Sequence, residues 1–226
     1  QTIEPFLFRW LVTRRTTRGF TPLTFHGIFR TGFTYALFGL GAILLTIIGS
    51  IFRYIPFLKK QIKYFFHVLL SGFARLIIYI EPTVRKRISG QGPGTFSRST
   101  VIVANHTSFL DILLTIMLHP KLILVTNKWV WNSPIFGGVV RLADYYPVAE
   151  GSDDVLKLKE RFDEGYSLVI FPEGTRSVDG TIGRFHKGAF FIAEKFGLAI
   201  QPLLIHGAAD AIPKGSFYLN AGQLTL

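Results

Sequence analysis

Short apolar runs alternate with amphipathic segments over the second half of the chain. Strand-like runs are predicted at residues 100–104, 122–126, 168–171 and 200–205. Helical periodicity is predicted between and after these runs, at residues 108–118, 134–142, 154–164 and 188–196. Strands that alternate with helices favour a largely parallel or mixed sheet flanked by helices. The pattern therefore predicts a single α/β domain.

Two long apolar segments dominate the first half of the chain. Residues 31–52 contain no charged side chain and approach the roughly 20 apolar residues that cross a bilayer. Residues 64–80 form a second apolar segment, which Arg75 interrupts. We predict a hairpin of two hydrophobic helices, joined at residues 55–57, that either spans the membrane or enters one leaflet. The alternative is a buried hairpin of a soluble protein.

Positive charge is concentrated in the same half of the chain. The protein has a formal net charge of +11. Residues 1–100 carry 14 Lys and Arg against 2 Asp and Glu, whereas residues 101–226 carry 11 against 12. Cations that flank apolar segments are attracted to anionic phospholipid headgroups, and they do not form the single polar face of a nucleic-acid-binding protein. We expect a phospholipid membrane as partner, no nucleic acid, and an α/β domain on the cytoplasmic face.

Composition divides the chain into four parts. Residues 1–30 are a basic N-terminal tail or the end of a preceding module, 31–88 the membrane-associated hairpin, 89–99 a linker rich in Gly and Pro, and 100–226 the α/β domain. The sequence begins with glutamine and stops within a strand-like segment, residues 217–226. We therefore expect a domain truncated at its C-terminus and further domains of the same polypeptide.

A candidate base and its orienting carboxylate lie close together in the stretch NHTSFLD, residues 105–111. If a helix begins just after His106, Asp111 can fold back toward the imidazole, and such a pair can take a proton from an alcohol. Backbone amides at the same helix start are candidate donors to an oxyanion. The alternative is structural, because Ser108 and Asp111 also have the spacing of a capping box.

A second polar stretch, FPEGTRS at residues 171–177, follows the apolar run that ends at Phe171. Loops after strands are where α/β proteins hold their chemistry. Arg176 offers a rigid, permanently charged fork for a phosphate or carboxylate, and Glu173 can accept hydrogen bonds from hydroxyl groups. By itself, a Pro-Glu-Gly-Thr sequence is usually only a turn.

Together, NHTSFLD and FPEGTRS resemble the two signature blocks of the glycerolipid acyltransferase family, whose best-known members are lysophosphatidic acid acyltransferases. The resemblance covers about residues 100–207 and includes two weaker blocks, residues 185–189 and 200–203. It implies a single α/β acyltransferase domain with a mixed sheet flanked by helices, preceded here by the hydrophobic helical hairpin.

The resemblance also implies roles for individual residues. His106 is similar to the general base and Asp111 to the carboxylate that orients it. Glu173, Gly174, Thr175 and Arg176 resemble the block that holds the polar head of a lysophospholipid acceptor. The resemblance further implies an acyl thioester as donor, either acyl-CoA or acyl carrier protein that carries the acyl group. The donor is a co-substrate, and no cofactor and no metal are expected.

One block departs from the family pattern. The family commonly places an Asp-Arg pair between its two main blocks, but residues 142–150, LADYYPVAE, contain no arginine. That arginine is associated with the acceptor phosphate in members that use phosphate. Lys128 is a candidate phosphate-binding residue, and Lys128 or Arg141 would substitute without matching the position. Lysophosphatidic acid, other lysophospholipids and acylated amino-acid lipids all stay open as acceptors.

Three other functions compete with a transferase. The absence of cysteine excludes a thiol acyl-enzyme, but Ser108 offers a nucleophile for an esterase or lipase, although it lacks the usual glycine-rich elbow. Metal binding by His106 and Asp111 with His186 or His206 fits no standard spacing. A non-enzymatic module that binds lipid headgroups through the basic first half is the third alternative.

Overall fold

Two long helices precede two small parallel sheets in the computed structural model, which describes residues 24–52, 59–90, 96–147 and 154–226. In chain order the elements are α1 (Phe25–Phe52), α2 (Lys59–Tyr79), β1 (Val84–Arg87), β2 (Thr100–Ala104), α3 (Leu110–Ile116), β3 (Leu122–Leu124), α4 (Lys128–Trp131), α5 (Gly137–Leu142), α6 (Asp154–Asp163), β4 (Ser167–Ile170), α7 (Gly188–Phe196), β5 (Ala199–Leu203), α8 (Ala208–Ala211) and β6 (Gly222–Thr225). The tail before residue 24 and the predicted joint at 55–57 lie outside the described residues.

The central sheet has the strand order β3-β4-β2-β5, and all of its pairs are parallel. Strands β3 and β4 are buried along their whole length, and β2 is buried from Val101 to Ala104. Such continuous apolar runs suit a parallel sheet that is covered on both faces. The α/β prediction is therefore confirmed.

Two predicted helices begin later than the periodicity indicated, each for a local reason. The helix expected from residue 108 begins at Leu110, because the Asp111 side chain accepts hydrogen bonds from backbone amides of the preceding turn. The helix expected from residue 134 begins at Gly137, after a turn in which the Ser133 hydroxyl accepts the Phe136 N–H at 3.2 Å.

A second sheet joins segments that are far apart in the chain. Strand β1 pairs in parallel with β6, with Val84 opposite Gly222 and Arg87 opposite Thr225. Residues 84–87 were assigned to the hairpin by composition, whereas here they pair with the last strand of the α/β domain. In β1, Val84 is buried and Lys86 is half-buried, whereas the two arginines are exposed. A short segment with three charged residues resembles a loop, so the sequence gave no sign of this pairing.

Helices α1 and α2 pack against each other, and α1 also packs on α5. Gly138 of α5 allows the close approach, since a Cβ atom there would lie 2.3 Å from Thr46 Cγ2. The opposite face of α1 is apolar and exposed, with Phe29, Leu40 and Leu44 all more than half exposed. By length and composition both helices are able to cross a membrane.

Several partly buried polar contacts attach α1 to the rest of the molecule. The Arg30 guanidinium donates to the Leu219 carbonyl at 2.6 Å, forms an ion pair with Glu81 at 3.5 Å and bonds to the Thr83 hydroxyl. Thr34, one turn further along α1, also bonds to Glu81. Because Glu81 and Thr83 lie between α2 and β1, these bonds fix the base of α1 against the second sheet.

Candidate functional site

The two polar stretches singled out in the sequence meet at one edge of the central sheet. Strands β2 and β4 are parallel neighbours, so the loops that follow them leave from the same edge. The His106 ring stacks on the Phe171 ring, with centroids 4.3 Å apart and planes inclined by 23°. The Ser177 N–H donates to the His106 carbonyl at 2.8 Å. Residues 105–111 will be called the base loop and residues 171–177 the anion loop.

Asp111 holds the imidazole and the helix start with one oxygen. Its Oδ2 lies 2.9 Å from His106 Nδ1 and accepts the backbone N–H groups of Thr107 at 2.6 Å and Ser108 at 2.8 Å. The carboxylate is fully buried, with 0% exposure. Because Nδ1 donates to this oxygen, Nε2 of the neutral ring is left without a proton. The structural role and the orienting role, posed as alternatives, coexist in one carboxylate, which holds the turn before α3 and the imidazole together.

Two backbone amides just before α3 are already engaged within the protein. Both Thr107 N and Ser108 N already donate to Asp111, so neither of these two amides is free to stabilise a tetrahedral intermediate.

Glu173 belongs to the anion loop but contacts the backbone of the base loop. Its Oε1 accepts the His106 N–H at 2.9 Å, and its Oε2 accepts the Gly183 N–H at 3.0 Å. The side chain is buried. Both oxygens are therefore engaged by backbone amides instead of facing a substrate hydroxyl, which was the expected contact.

Asn105 fixes the start of the base loop, and sequence reasoning missed it. Its side-chain amide donates to the Ile205 carbonyl at 2.9 Å, and its Oδ1 accepts the Ile205 N–H at 2.8 Å. Ile205 follows β5, so the two bonds join the ends of two neighbouring strands. The only available signal was the asparagine itself, directly before the candidate base.

Ser108 is not placed as a nucleophile. Its hydroxyl is fully buried and donates to the Ile212 carbonyl at 2.8 Å while accepting the Leu110 N–H at 3.3 Å. The side chain does not line the cavity described next. These contacts contradict the esterase alternative that relied on Ser108.

A cavity of about 380 Å³ opens beside His106, within the usual range of about 300–1,000 Å³ for ligand sites. Its inner wall comes from α1, α2 and the helices around β3, and it is apolar: Ala42, Leu45, Leu70, Phe73, Ile116, Val139 and Tyr145. Burial raises the pKa of Tyr145, which keeps its phenol neutral. The cavity thus joins a candidate base to a long apolar compartment.

Polar residues are gathered at the other end of the cavity. Gly174, Thr175 and Arg176 line it together with Lys214, which sequence reasoning did not identify. Lys214 Nζ donates to the Arg176 carbonyl at 2.6 Å and lies 3.3 Å from Thr175 Oγ1. Lys128, the predicted phosphate-binding residue, is exposed at the start of α4 and does not line the cavity.

A short turn follows the anion loop, and its carboxylate, Asp179, accepts hydrogen bonds from residues of the same turn. Asp179 Oδ1 accepts the hydroxyls of Ser177 and Thr181 and the Thr181 N–H, at 2.7–3.0 Å. Hydrogen bonds from Thr181, and then from Ser177, lower the pKa of Asp179 to about 2. This carboxylate is therefore ionised near neutral pH and is bonded within its own turn.

No cluster of metal-binding side chains occurs among the described residues. His186 and His206, considered as partners for His106 and Asp111, are both exposed. His186 donates its backbone N–H to the Pro172 carbonyl, and His206 forms a backbone bridge with Thr225.

Comparison with known proteins identifies the family. The profile of the family described as Acyltransferase matches residues 76–206, more than half of the chain. The chain belongs to the acyltransferase family. The matched span includes the base loop and the anion loop of this acyltransferase-family chain, and it ends before Lys214.

Curated relatives share part of this sequence. The chloroplastic 1-acyl-sn-glycerol-3-phosphate acyltransferase of Arabidopsis thaliana is 34% identical over 80% of this chain and 52% of its own length. The lyso-ornithine lipid O-acyltransferase of Pseudomonas aeruginosa is 32% identical over 56% of this chain and 49% of its own length. The acyltransferase-family chain thus spans about half the length of the curated relatives it matches.

A solved structure has the same fold. The 1-acyl-sn-glycerophosphate (LPA) acyltransferase PlsC from Thermotoga maritima superposes with a TM-score of 0.71, covering 88% of this chain and 83% of that protein, at 20% sequence identity. The structural similarity covers most of this acyltransferase-family chain, so the shared fold extends beyond residues 76–206, which match the family model.

Proposed function

We propose that the protein is a membrane-associated O-acyltransferase, which moves a fatty acyl group from an acyl thioester to a hydroxyl of a lysophospholipid such as lysophosphatidic acid. The donor is acyl-CoA or acyl carrier protein. One observation carries the proposal: a histidine whose Nδ1 is held by a buried carboxylate lines a 380 Å³ cavity with an apolar interior. The curated relatives named as acyltransferases support the same reaction class.

In the proposed reaction, His106 acts as the general base. Its unprotonated Nε2 accepts the proton of the acceptor hydroxyl while the hydroxyl oxygen attacks the thioester carbonyl carbon. The tetrahedral intermediate collapses, the carbon–sulfur bond breaks, and the imidazolium returns the proton to the thiolate. The products are an ester and a free thiol, and no covalent enzyme intermediate forms.

Asp111 supports this cycle through its position. A fixed Nδ1 hydrogen bond keeps the ring in the tautomer that presents Nε2, and the negative charge stabilises the imidazolium that forms. Glu173 acts one step further away, because it holds the His106 backbone through its N–H. We assign Glu173 as a positioning residue and not as a contact of the acceptor.

The apolar compartment suits a fatty acyl chain. Its walls come from α1 and α2, and the outer face of α1 is itself apolar and exposed. A chain bound there lies between two helices that are able to enter a lipid layer, so a lipid substrate need not cross water to reach His106. We propose that the hairpin holds the catalytic domain at the membrane, with that domain on the cytoplasmic face.

An amino-acid lipid acceptor is the second candidate. The sequence lacks the arginine that the family places between its main blocks, and one curated relative is named as a lyso-ornithine lipid O-acyltransferase. Both acceptors use the same base and donor, so the reaction class is common to the two.

Thiol release from purified protein in lipid nanodiscs tests the proposal. Acyl-CoA and acylated acyl carrier protein are each offered with lysophosphatidic acid, with an N-acylated amino acid bearing a hydroxyacyl chain, and without acceptor. We expect acceptor-dependent thiol release and an esterified product by mass spectrometry. His106→Ala should lower the rate by about 10²- to 10⁴-fold, the contribution of a positioned base. Acceptor-independent release, or an active His106→Ala protein, would contradict the assignment.

A further inference from the structure

Two cations face the same cavity as His106 without an acidic partner. Arg176 and Lys214 both line its polar end. No ion pair to either side chain is present among residues 24–52, 59–90, 96–147 and 154–226. The two acids of this region are engaged elsewhere, because Glu173 accepts backbone amides and Asp179 is bonded within its own turn.

Lys214 is held in place although it is exposed. Its ammonium group has three donors, of which one is directed to the Arg176 carbonyl at 2.6 Å and a second to Thr175 Oγ1 at 3.3 Å. One N–H stays available for a ligand. The bond to the Arg176 carbonyl also ties the ammonium to the residue that carries the guanidinium, so Lys214 is fixed to the anion loop.

Two cations that line one cavity without an acidic partner favour an anion that can contact both of them. A phosphate monoester suits the arrangement, because it has three acceptor oxygens and a charge between −1 and −2 near neutral pH. Arg176 offers a planar fork to two of these oxygens, and Lys214 offers a point charge with one free donor.

We propose that Lys214 is a specificity-determining residue that binds the phosphate monoester of the acceptor beside Arg176, and that it provides the second positive charge in a chain whose middle block lacks the family's arginine. This proposal rests on the proposed function and concerns its acceptor. It replaces Lys128 as the phosphate-binding lysine, since Lys128 does not line the cavity. Lys214 lies beyond the matched family span of residues 76–206.

The test compares acceptors that differ in headgroup charge. Wild-type protein, Lys214→Met and Lys214→Arg are assayed in nanodiscs with lysophosphatidic acid, with uncharged monoacylglycerol and with the hydroxyacylated amino acid. Lys159→Met is the matched control, because Lys159 is exposed on α6 and pairs with Asp163. Arg176→Gln serves as the companion change at the other cation.

We expect Lys214→Met to raise the KM for lysophosphatidic acid by about 10- to 100-fold, the usual effect of losing one charge-assisted hydrogen bond. The kcat should change little, and monoacylglycerol should be used as before. Lys214→Arg should recover most of the loss, because the charge is kept. Lys159→Met should resemble the wild type.

Three results would overturn the proposal. An unchanged KM for lysophosphatidic acid would show that Lys214 does not contact the acceptor. An equal loss with all acceptors, accompanied by a lower melting temperature, would show that Lys214 only ties two loops together. A KM effect confined to the amino-acid acceptor would assign the subsite to a carboxylate. Failure of the proposed function is a separate result, since wild-type protein would then transfer acyl groups to no acceptor.

Discussion

The base loop and the anion loop leave the same sheet edge but satisfy their polar groups in opposite ways. In the base loop Asn105, Thr107, Ser108 and Asp111 are all buried, and hydrogen bonds within the protein hold His106 in one orientation. In the anion loop Gly174 and Thr175 are exposed, and the Arg176 guanidinium bonds to no described residue.

The difference between the loops reflects two different tasks, proton transfer in the base loop and binding of an anion in the anion loop. A proton-transfer group gains from being fixed before the substrate arrives, because reorganisation during the reaction is then avoided. A charged binding group gains from keeping its donors free, because each internal bond would have to be broken for the ligand. Glu173 connects the two loops, since it comes from one and holds the backbone of the other.

The largest expected effect comes from replacing the buried carboxylate of the base loop, Asp111. Asp111→Asn should lower kcat by about 10²- to 10³-fold, less than the loss of His106 itself, because an amide holds the Nδ1 proton poorly and does not stabilise the imidazolium. The acceptor KM should change little. Steady-state rates in nanodiscs measure both, with Asp163→Asn as the control at an exposed acid. Retention of more than a tenth of the wild-type kcat would mean that Asp111 mainly holds the turn before α3.

Changing the anion loop should have the opposite kinetic signature. Arg176→Gln should raise the KM for a phosphate-bearing acceptor by about 10²-fold, because a bidentate charged contact is lost, while kcat is largely kept. The rate with monoacylglycerol is the internal control. An equal loss with the uncharged acceptor would show that Arg176 acts on the reacting groups, and the contrast between the loops would then be wrong.

Glu173→Gln should give the smallest effect on activity. It should lower kcat, as a change in the base loop does, and should leave the acceptor KM unchanged, although Glu173 lies in the anion loop. The glutamine side chain keeps one acceptor oxygen and gains an NH₂ group, so either the His106 amide or the Gly183 amide loses its acceptor. We expect kcat to fall about tenfold, with a loss of about 1–3 kcal/mol in stability. Kinetics and thermal unfolding measure this, with exposed Glu194→Gln as the control. A selective change in acceptor KM would instead assign Glu173 to the acceptor.

Much of the central fold was predictable from local patterns. The apolar runs that became β2 and β4 are continuous and short, as buried parallel strands require, and the helix at Gly188–Phe196 matches its predicted bounds. The pairing of β1 with β6 was not predictable in this way. Strand β1 is a charged four-residue segment, and its partner lies at the far end of the sequence.

The sequence by itself determined the pair of His106 and Asp111, because five positions separate them and a helix start brings such positions together. It also determined that Arg176 follows a buried strand. Only the tertiary structure decided which groups surround them. The parallel pairing of β2 with β4 brings Glu173 to the amide of a residue 67 positions away, and the return of the chain after α8 brings Lys214 to the carbonyl of a residue 38 positions away. Contacts at such separations depend on how strands pair and helices pack, for which a single sequence contains no local signal.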